Sequence, residues 1–93
     1  MLNINLDISS KKWLIVGGGK IATRRTKKIL RANGTIKLVS PIITKELETI
    51  SKKHKKIKIV RRKYRFTDLK GINFVITCTN DEKINKKIVK DSR

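Results

Sequence analysis

The chain has 93 residues, with 25 Lys+Arg against 7 Asp+Glu and a formal charge of +18. That length accommodates one domain, 1–93, and 15 Ile, 7 Leu and 5 Val supply a modest aliphatic core, which excludes full disorder. The single cysteine, Cys78, excludes an intrachain disulfide and any multi-cysteine metal site. No apolar run is long enough to span a bilayer, and no basic stretch precedes a long apolar one, so the expected address is the cytoplasm with no membrane partner.

The elements read in chain order as strand, helix, strand, helix, strand, strand, helix. Residues 13–16 are apolar throughout, the pattern of a strand buried on both faces of a parallel sheet. Three glycines follow. Residues 21–33 then read as a helix with Ile21, Ala22, Ile29 and Leu30 on its inner face, stopped by Asn33-Gly34. Residues 36–40 form a second strand. Thr44 is an N-cap candidate for a helix that turns Leu47 and Ile50 inward, with Glu46 and Glu48 suited to its first turn. Residues 57–60 are a third strand, Gly71 marks a turn, and residues 74–78 are a fourth strand. Thr79-Asn80-Asp81-Glu82 has capping-box spacing ahead of a helix with Ile84, Ile88 and Val89 on one face. Strands alternating with helices predict an α/β fold: a Rossmann-like parallel sheet of about four strands with helices on both faces.

One motif carries chemistry. Gly17-Gly18-Gly19-Lys20-Ile21-Ala22 reads as G-x-G-x-x-A, set between the first strand and the first helix. The first glycine allows a tight turn. Gly19 lets the backbone approach a pyrophosphate, and Ala22 lets helix and strand pack closely. The helix N-terminus offers unpaired N–H groups and a positive dipole end to the phosphates. At the end of the second strand, a common dinucleotide site places an acid for the ribose hydroxyls. Here that place holds Ser40-Pro41-Ile42, so the residues leave NAD and NADP both open. Ligands of open α/β sheets lie beyond the carboxyl ends of the strands, which makes the loop after the fourth strand a second candidate contact.

Other reactive residues read as structural. Cys78 is a small hydrophobe at a strand end, Trp13 is packing, and His54 is a surface histidine among lysines. No Ser/His/Asp set, glycosidase carboxylate pair or metal cluster can be assembled, so no catalytic or metal-binding residue is assigned. Residues 51–65 hold nine Lys/Arg and no acid. That block is either a solvated face or an anion site, and it makes a basic nucleic-acid-binding module the alternative reading. Near it only Tyr64 and Phe66 could stack on bases. A regulatory nucleotide domain of the potassium-channel type is a third reading, disfavoured because Ser40 stands where such domains keep an acid.

Taken together, these pieces resemble the precorrin-2 dehydrogenase / sirohydrochlorin ferrochelatase family, the N-terminal domain of siroheme synthase. The resemblance runs through Leu2-Asn3-Ile4-Asn5-Leu6-Asp7-Ile8, the strand and glycine turn up to Ala22, Arg24-Arg25, and Leu38-Val39-Ser40-Pro41. It continues through Arg61-Arg62-Lys63-Tyr64, Asp68-Leu69, Val75-Ile76-Thr77-Cys78-Thr79-Asn80-Asp81 and Asn85. It covers nearly the whole chain in order. It implies NAD-dependent oxidation of precorrin-2, a polycarboxylate tetrapyrrole, to sirohydrochlorin, with iron insertion in some members and a homodimer in the full-length family. It also accounts for the missing acid, since the family binds NAD without one. Carried over by motif, the cofactor contacts fall at Gly17, Gly18, Gly19, Lys20 and Ile21, at Ser40, Pro41 and Ile42, and at Thr79, Asn80 and Asp81. Asn3 stands where the family usually has Pro, and Asn33 where it usually has Gly. The family also has a fifth strand carrying an Asn-Val-x-Asp segment with the implicated Asp, beyond the position of Arg93. The resemblance therefore implies a fragment, incomplete at its C-terminus and inactive alone.

Overall fold

The computed structural model describes residues 11–93. The opening segment that contributes to the family resemblance, residues 2–8, lies outside the described residues. The elements are β1 (Lys12–Val16), α1 (Lys20–Arg31), β2 (Thr35–Val39), α2 (Lys45–Lys53), β3 (Ile57–Val60), a 3-10 turn (Phe66–Leu69), β4 (Phe74–Thr77) and α3 (Glu82–Asp91). All three strand pairings are parallel, in the order β3-β2-β1-β4. The expected α/β parallel sheet is therefore present, with one addition, the 3-10 turn in the β3–β4 connection.

Strand alternation divides the core. On one face Ile15, Ile36, Leu38 and Ile57 meet Ala22 and Ile29 of α1 and Leu47 of α2. On the other, Leu14, Val16 and Val39 meet Ile88 of α3, with Tyr64, Leu69 and Ile72 of the β3–β4 connection packed alongside. β1 is apolar on both faces because it is central and covered on both. β4 pairs only with β1 among the described residues, and its Phe74 is 40% exposed. Trp13 stacks across the β1–β4 pair on Phe74, with ring centroids 4.5 Å apart, in keeping with a packing role.

The helix ends follow from local chemistry. α1 stops where Asn33 takes a left-handed φ of 61° and the Gly34 N–H donates to the Ile29 carbonyl at 2.9 Å. Thr44 caps α2 as expected, its hydroxyl accepting from Leu47 N at 3.1 Å. α3 corrects the sequence reading. Its cap is Asp81, whose carboxylate accepts from Lys83 N and Ile84 N. The Thr79 hydroxyl, expected to cap, instead donates to Asn85 Oδ1 at 2.6 Å. The inner faces also need correction. Ile21 is 60% exposed and Val89 is 48% exposed, while Thr23 and Thr26 of α1 are buried.

The 13-residue link from β3 to β4 has no crossover α-helix. It is organised by Asp68, which is fully buried. Arg62 grips its carboxylate with both terminal nitrogens, at 2.9 and 2.6 Å. Lys37 of β2 reaches it at 3.0 Å and the Arg65 N–H at 2.8 Å. Burial alone would raise the Asp68 carboxyl, but these donors outweigh it and hold it well below the usual carboxylate range.

Candidate functional site: a glycine-lined cleft at the strand ends

In a parallel sheet ordered β3-β2-β1-β4, the chain runs outward from β1 through β2 to β3, then returns to the other side of β1 as β4. A crevice opens where the direction reverses, at the carboxyl ends of the strands. A cleft of about 630 Å³ occupies that place. Three segments converge on it: Gly17, Gly18, Gly19, Lys20 and Ile21 after β1, Ser40, Pro41 and Ile42 after β2, and Cys78, Thr79 and Asn80 after β4. Ten of the eleven sequence-predicted contacts are thus brought together. Asp81 is the exception: it does not line the cleft, because its carboxylate is spent on the first turn of α3. Lys63 and Tyr64, which follow β3, also line the cleft and were missed as site residues. Their position just past a strand that neighbours β2 is the signal that finds them, and it needs the strand order.

The three glycines do different jobs. Gly17 has a φ of +127°, and a Cβ there would sit 2.6 Å from the Cys78 carbonyl oxygen. A Cβ on Gly18 would run into the Ile42 carbonyl oxygen. Both are therefore required by protein packing against the β4 and β2 loops. Gly19 differs: a Cβ there would meet nothing within 4 Å. Its bareness serves no packing need and leaves the backbone open to the cleft.

Hydrogen bonds hold the turn rigid. Gly17 N–H donates to the Val39 carbonyl at 3.0 Å, and Cys78 N–H to the Val16 carbonyl at 2.8 Å. Thr44 N–H donates to the Gly18 carbonyl at 3.0 Å. The Thr23 hydroxyl donates to the Gly19 carbonyl at 2.9 Å. Across the cleft, Asn85 fixes Thr79 from both sides, accepting its hydroxyl proton and donating Nδ2–H to its carbonyl at 3.1 Å. The Ser40 hydroxyl donates to the Ile42 carbonyl at 2.7 Å, so it faces a ligand as an acceptor.

The electrostatics suit an anion. Among the described residues, α1 is the one α-helix with no side-chain cap, and its first turn holds no acid. Its N–H groups and positive dipole end point to the glycine turn. Among the described residues no acid lines the cleft, while Lys20 and Lys63 do. Exposed Ile21 and Ile42 supply apolar surface at the same opening. A glycine backbone without Cβ, an uncapped helix end and an apolar crevice fit a dinucleotide. Burial pushes the Cys78 thiol up, with Arg25 pulling the other way, so Cys78 is a protonated wall residue rather than a nucleophile.

A sequence-family profile described as NAD(P)-binding matches residues 4–93. The chain belongs to this NAD(P)-binding family. Several named proteins are similar to it in sequence. It is 41% identical over 88 residues to a multifunctional siroheme biosynthesis protein, HemA, of Ruminiclostridium josui, covering 95% of this chain and 17% of that protein. It is 35% identical to the precorrin-2 dehydrogenase of Priestia megaterium, covering 92% of this chain and 42% of the relative. For the precorrin-2 dehydrogenase of Bacillus subtilis (strain 168) the figures are 32%, 99% and 56%. The solved structure of SirC, a precorrin-2 dehydrogenase, superposes with a TM-score of 0.81 at 35% identity, over 92% of this chain and 43% of that one. The chain therefore spans 17–56% of the length of these curated relatives. The resemblance to precorrin-2 dehydrogenases and siroheme synthases read from the motifs is met by these relatives, and an NAD(P)-binding, Rossmann-like domain is what the chain shares with its family.

No helix among the described residues is long and apolar enough to cross a membrane.

Proposed function

We propose that this chain is the dinucleotide-binding part of an enzyme that oxidises precorrin-2 to sirohydrochlorin, with NAD as its cofactor. The observation that carries the reading is Gly19: a bare backbone position at an uncapped helix N-terminus, facing a cleft with no carboxylate among the described residues of its lining. Backbone N–H groups of the turn and of Lys20 and Ile21 hold the pyrophosphate. Ser40 accepts from a ribose hydroxyl, while Pro41 and Ile42 shape the adenosine side. Thr79 and Asn80 bound the nicotinamide side, held in place by Asn85. When bound, NAD supplies the hydride acceptor, and the chain's own share is to grip and orient it. No residue here is assigned to proton transfer. The names of the relatives support the tetrapyrrole substrate, and its many carboxylates complement a chain of charge +18. The same reading has the protein acting in the cytoplasm, in keeping with a lone cysteine, and within a homodimer.

The test is an equilibrium titration with NAD beside Gly19→Val. Saturable NAD binding by the parent protein is expected, with at least tenfold loss in the variant, since one tenfold step needs only about 1.4 kcal/mol of lost contact. The variant's Tm should stay within about 2 °C, because nothing occupies the space the side chain enters. RNA or DNA binding at physiological salt, with no NAD binding, would overturn the proposal in favour of a nucleic-acid module.

A further inference from the structure

The choice of dinucleotide can be taken one step past the reading above, on which it rests. In Rossmann sites the adenosine ribose lies beyond the end of the second strand, where an acid binds its hydroxyls and repels a 2′-phosphate. Here Ser40, Pro41 and Ile42 occupy that place, and nothing acidic among the described residues lines the cleft. Its two charged wall residues, Lys20 and Lys63, stand at different points. Lys20 opens α1, at the pyrophosphate. Lys63 follows β3, and β3 lies against β2: Val39 is in register with Val60, and Ser40 N–H donates to the Val60 carbonyl at 3.1 Å. Lys63 therefore enters the cleft beside residues 40–42, on the ribose side.

Two features make Lys63 available there. First, its ammonium takes no part in the ion pairs among the described residues. Arg61 pairs with Glu48, and Arg62 and Lys37 with Asp68. Second, its backbone is fixed. The Arg62 guanidinium that grips buried Asp68 also donates to the Lys63 carbonyl at 3.0 Å. The loop is thereby ordered before any ligand arrives, so little further ordering is required on binding.

We infer that Lys63 is the specificity residue of the dinucleotide site, and that the site accepts a 2′-phosphorylated dinucleotide, NADP, alongside NAD. The ammonium meets the 2′-phosphate as a point charge in a charge-assisted hydrogen bond. NAD lacks the phosphate and gains little from it. Asp68, through Arg62, positions the loop that presents the lysine.

Fluorescence titrations with NADH and NADPH at fixed ionic strength, on the parent protein, Lys63→Glu, Lys63→Gln and Lys20→Gln, test this. The parent is expected to bind NADPH within about tenfold of NADH. Lys63→Glu should weaken NADPH by about tenfold or more and leave NADH within about threefold, with Lys63→Gln between the two. Lys20→Gln should weaken both dinucleotides by one common factor, as suits a pyrophosphate contact. NADPH binding more than about a hundredfold weaker than NADH in the parent would overturn the inference. So would equal losses for both dinucleotides in Lys63→Glu at unchanged Tm. Failure of the parent to bind either dinucleotide overturns the underlying function as well, and is told apart by being present before any substitution.

Discussion

The two faces of the sheet are closed by different chemistry. The α1–α2 face is aliphatic: Ile15, Ile36, Leu38 and Leu47 are buried among one another. The opposite face carries α3 and a long irregular link, and at its centre lies a buried carboxylate held by a lysine and an arginine. The first face is made by area removed from water, which tolerates small rearrangements. The second depends on hydrogen-bond geometry, since a buried charge is tolerable only while its partners stay in place. The first face supports the sheet under the glycine turn, whereas the second sets the wall of the cleft where Lys63 and Tyr64 stand.

Substitutions should separate the two. Leu38→Ala, at a site with no exposure, should have the largest effect, about 2–5 kcal/mol of lost stability in urea unfolding. The loss should be nearly constant between pH 3 and 7, because nothing ionisable is removed. Asp68→Asn should cost about 2 kcal/mol at pH 7, below the full value for a buried pair because Arg62 and Lys37 remain partly exposed. Its signature is pH dependence. The folded-state carboxyl of Asp68 is depressed, so its contribution is complete above the unfolded value of about 4 and is lost as pH falls below it. The gap between parent and Asp68→Asn should therefore narrow progressively as pH falls below about 4. A gap as large at pH 2 as at pH 7 would mean Asp68 acts by shape rather than charge.

The smallest expected effect lies at the edge of the second face. Burial, then the Tyr64 hydroxyl's bond to Asp91 at 3.0 Å, push its phenol up to about 12. A raised value means stability present below the unfolded value near 10 and lost as pH rises from about 10 through 12. Tyr64→Phe should cost about 1 kcal/mol at neutral pH and flatten that alkaline loss. Urea midpoints at pH 7 and pH 11 read both.

The contrast also explains what was legible in the sequence. Each strand and helix was readable because aliphatic periodicity records burial directly, and the glycine turn because three consecutive glycines stand between a strand and a helix. Strand order was not readable, since 57–60 and 74–77 carry similar patterns, and without it Lys63 and Tyr64 could not be set beside Ser40. The burial of Asp68 was not readable, because its partners lie 31 residues back, at Lys37, and six back, at Arg62, with no period to link them. Thr79 and Asp81 are both capping residues by type, and because the helix starts at Glu82 it is the Asp81 carboxylate that reaches the N–H groups of Lys83 and Ile84, while Thr79 Oγ1 accepts from Asp81 N–H one step earlier. Ile21 fits the inner face by count, yet it lies in the first turn of α1, just past the carboxyl end of β1, where the inner side is the cleft itself.

On the proposed function, a dinucleotide's diphosphate sits on the backbone amides after β1. Amide NMR on the uniformly 15N-labelled protein, titrated with NAD, tests it most directly. The largest saturable shifts are expected at Gly18, Gly19 and Lys20, with smaller ones at Ile42, Thr79 and Asn80. Shifts confined to the basic stretch 51–65, with the glycine amides unmoved at saturation, would contradict it.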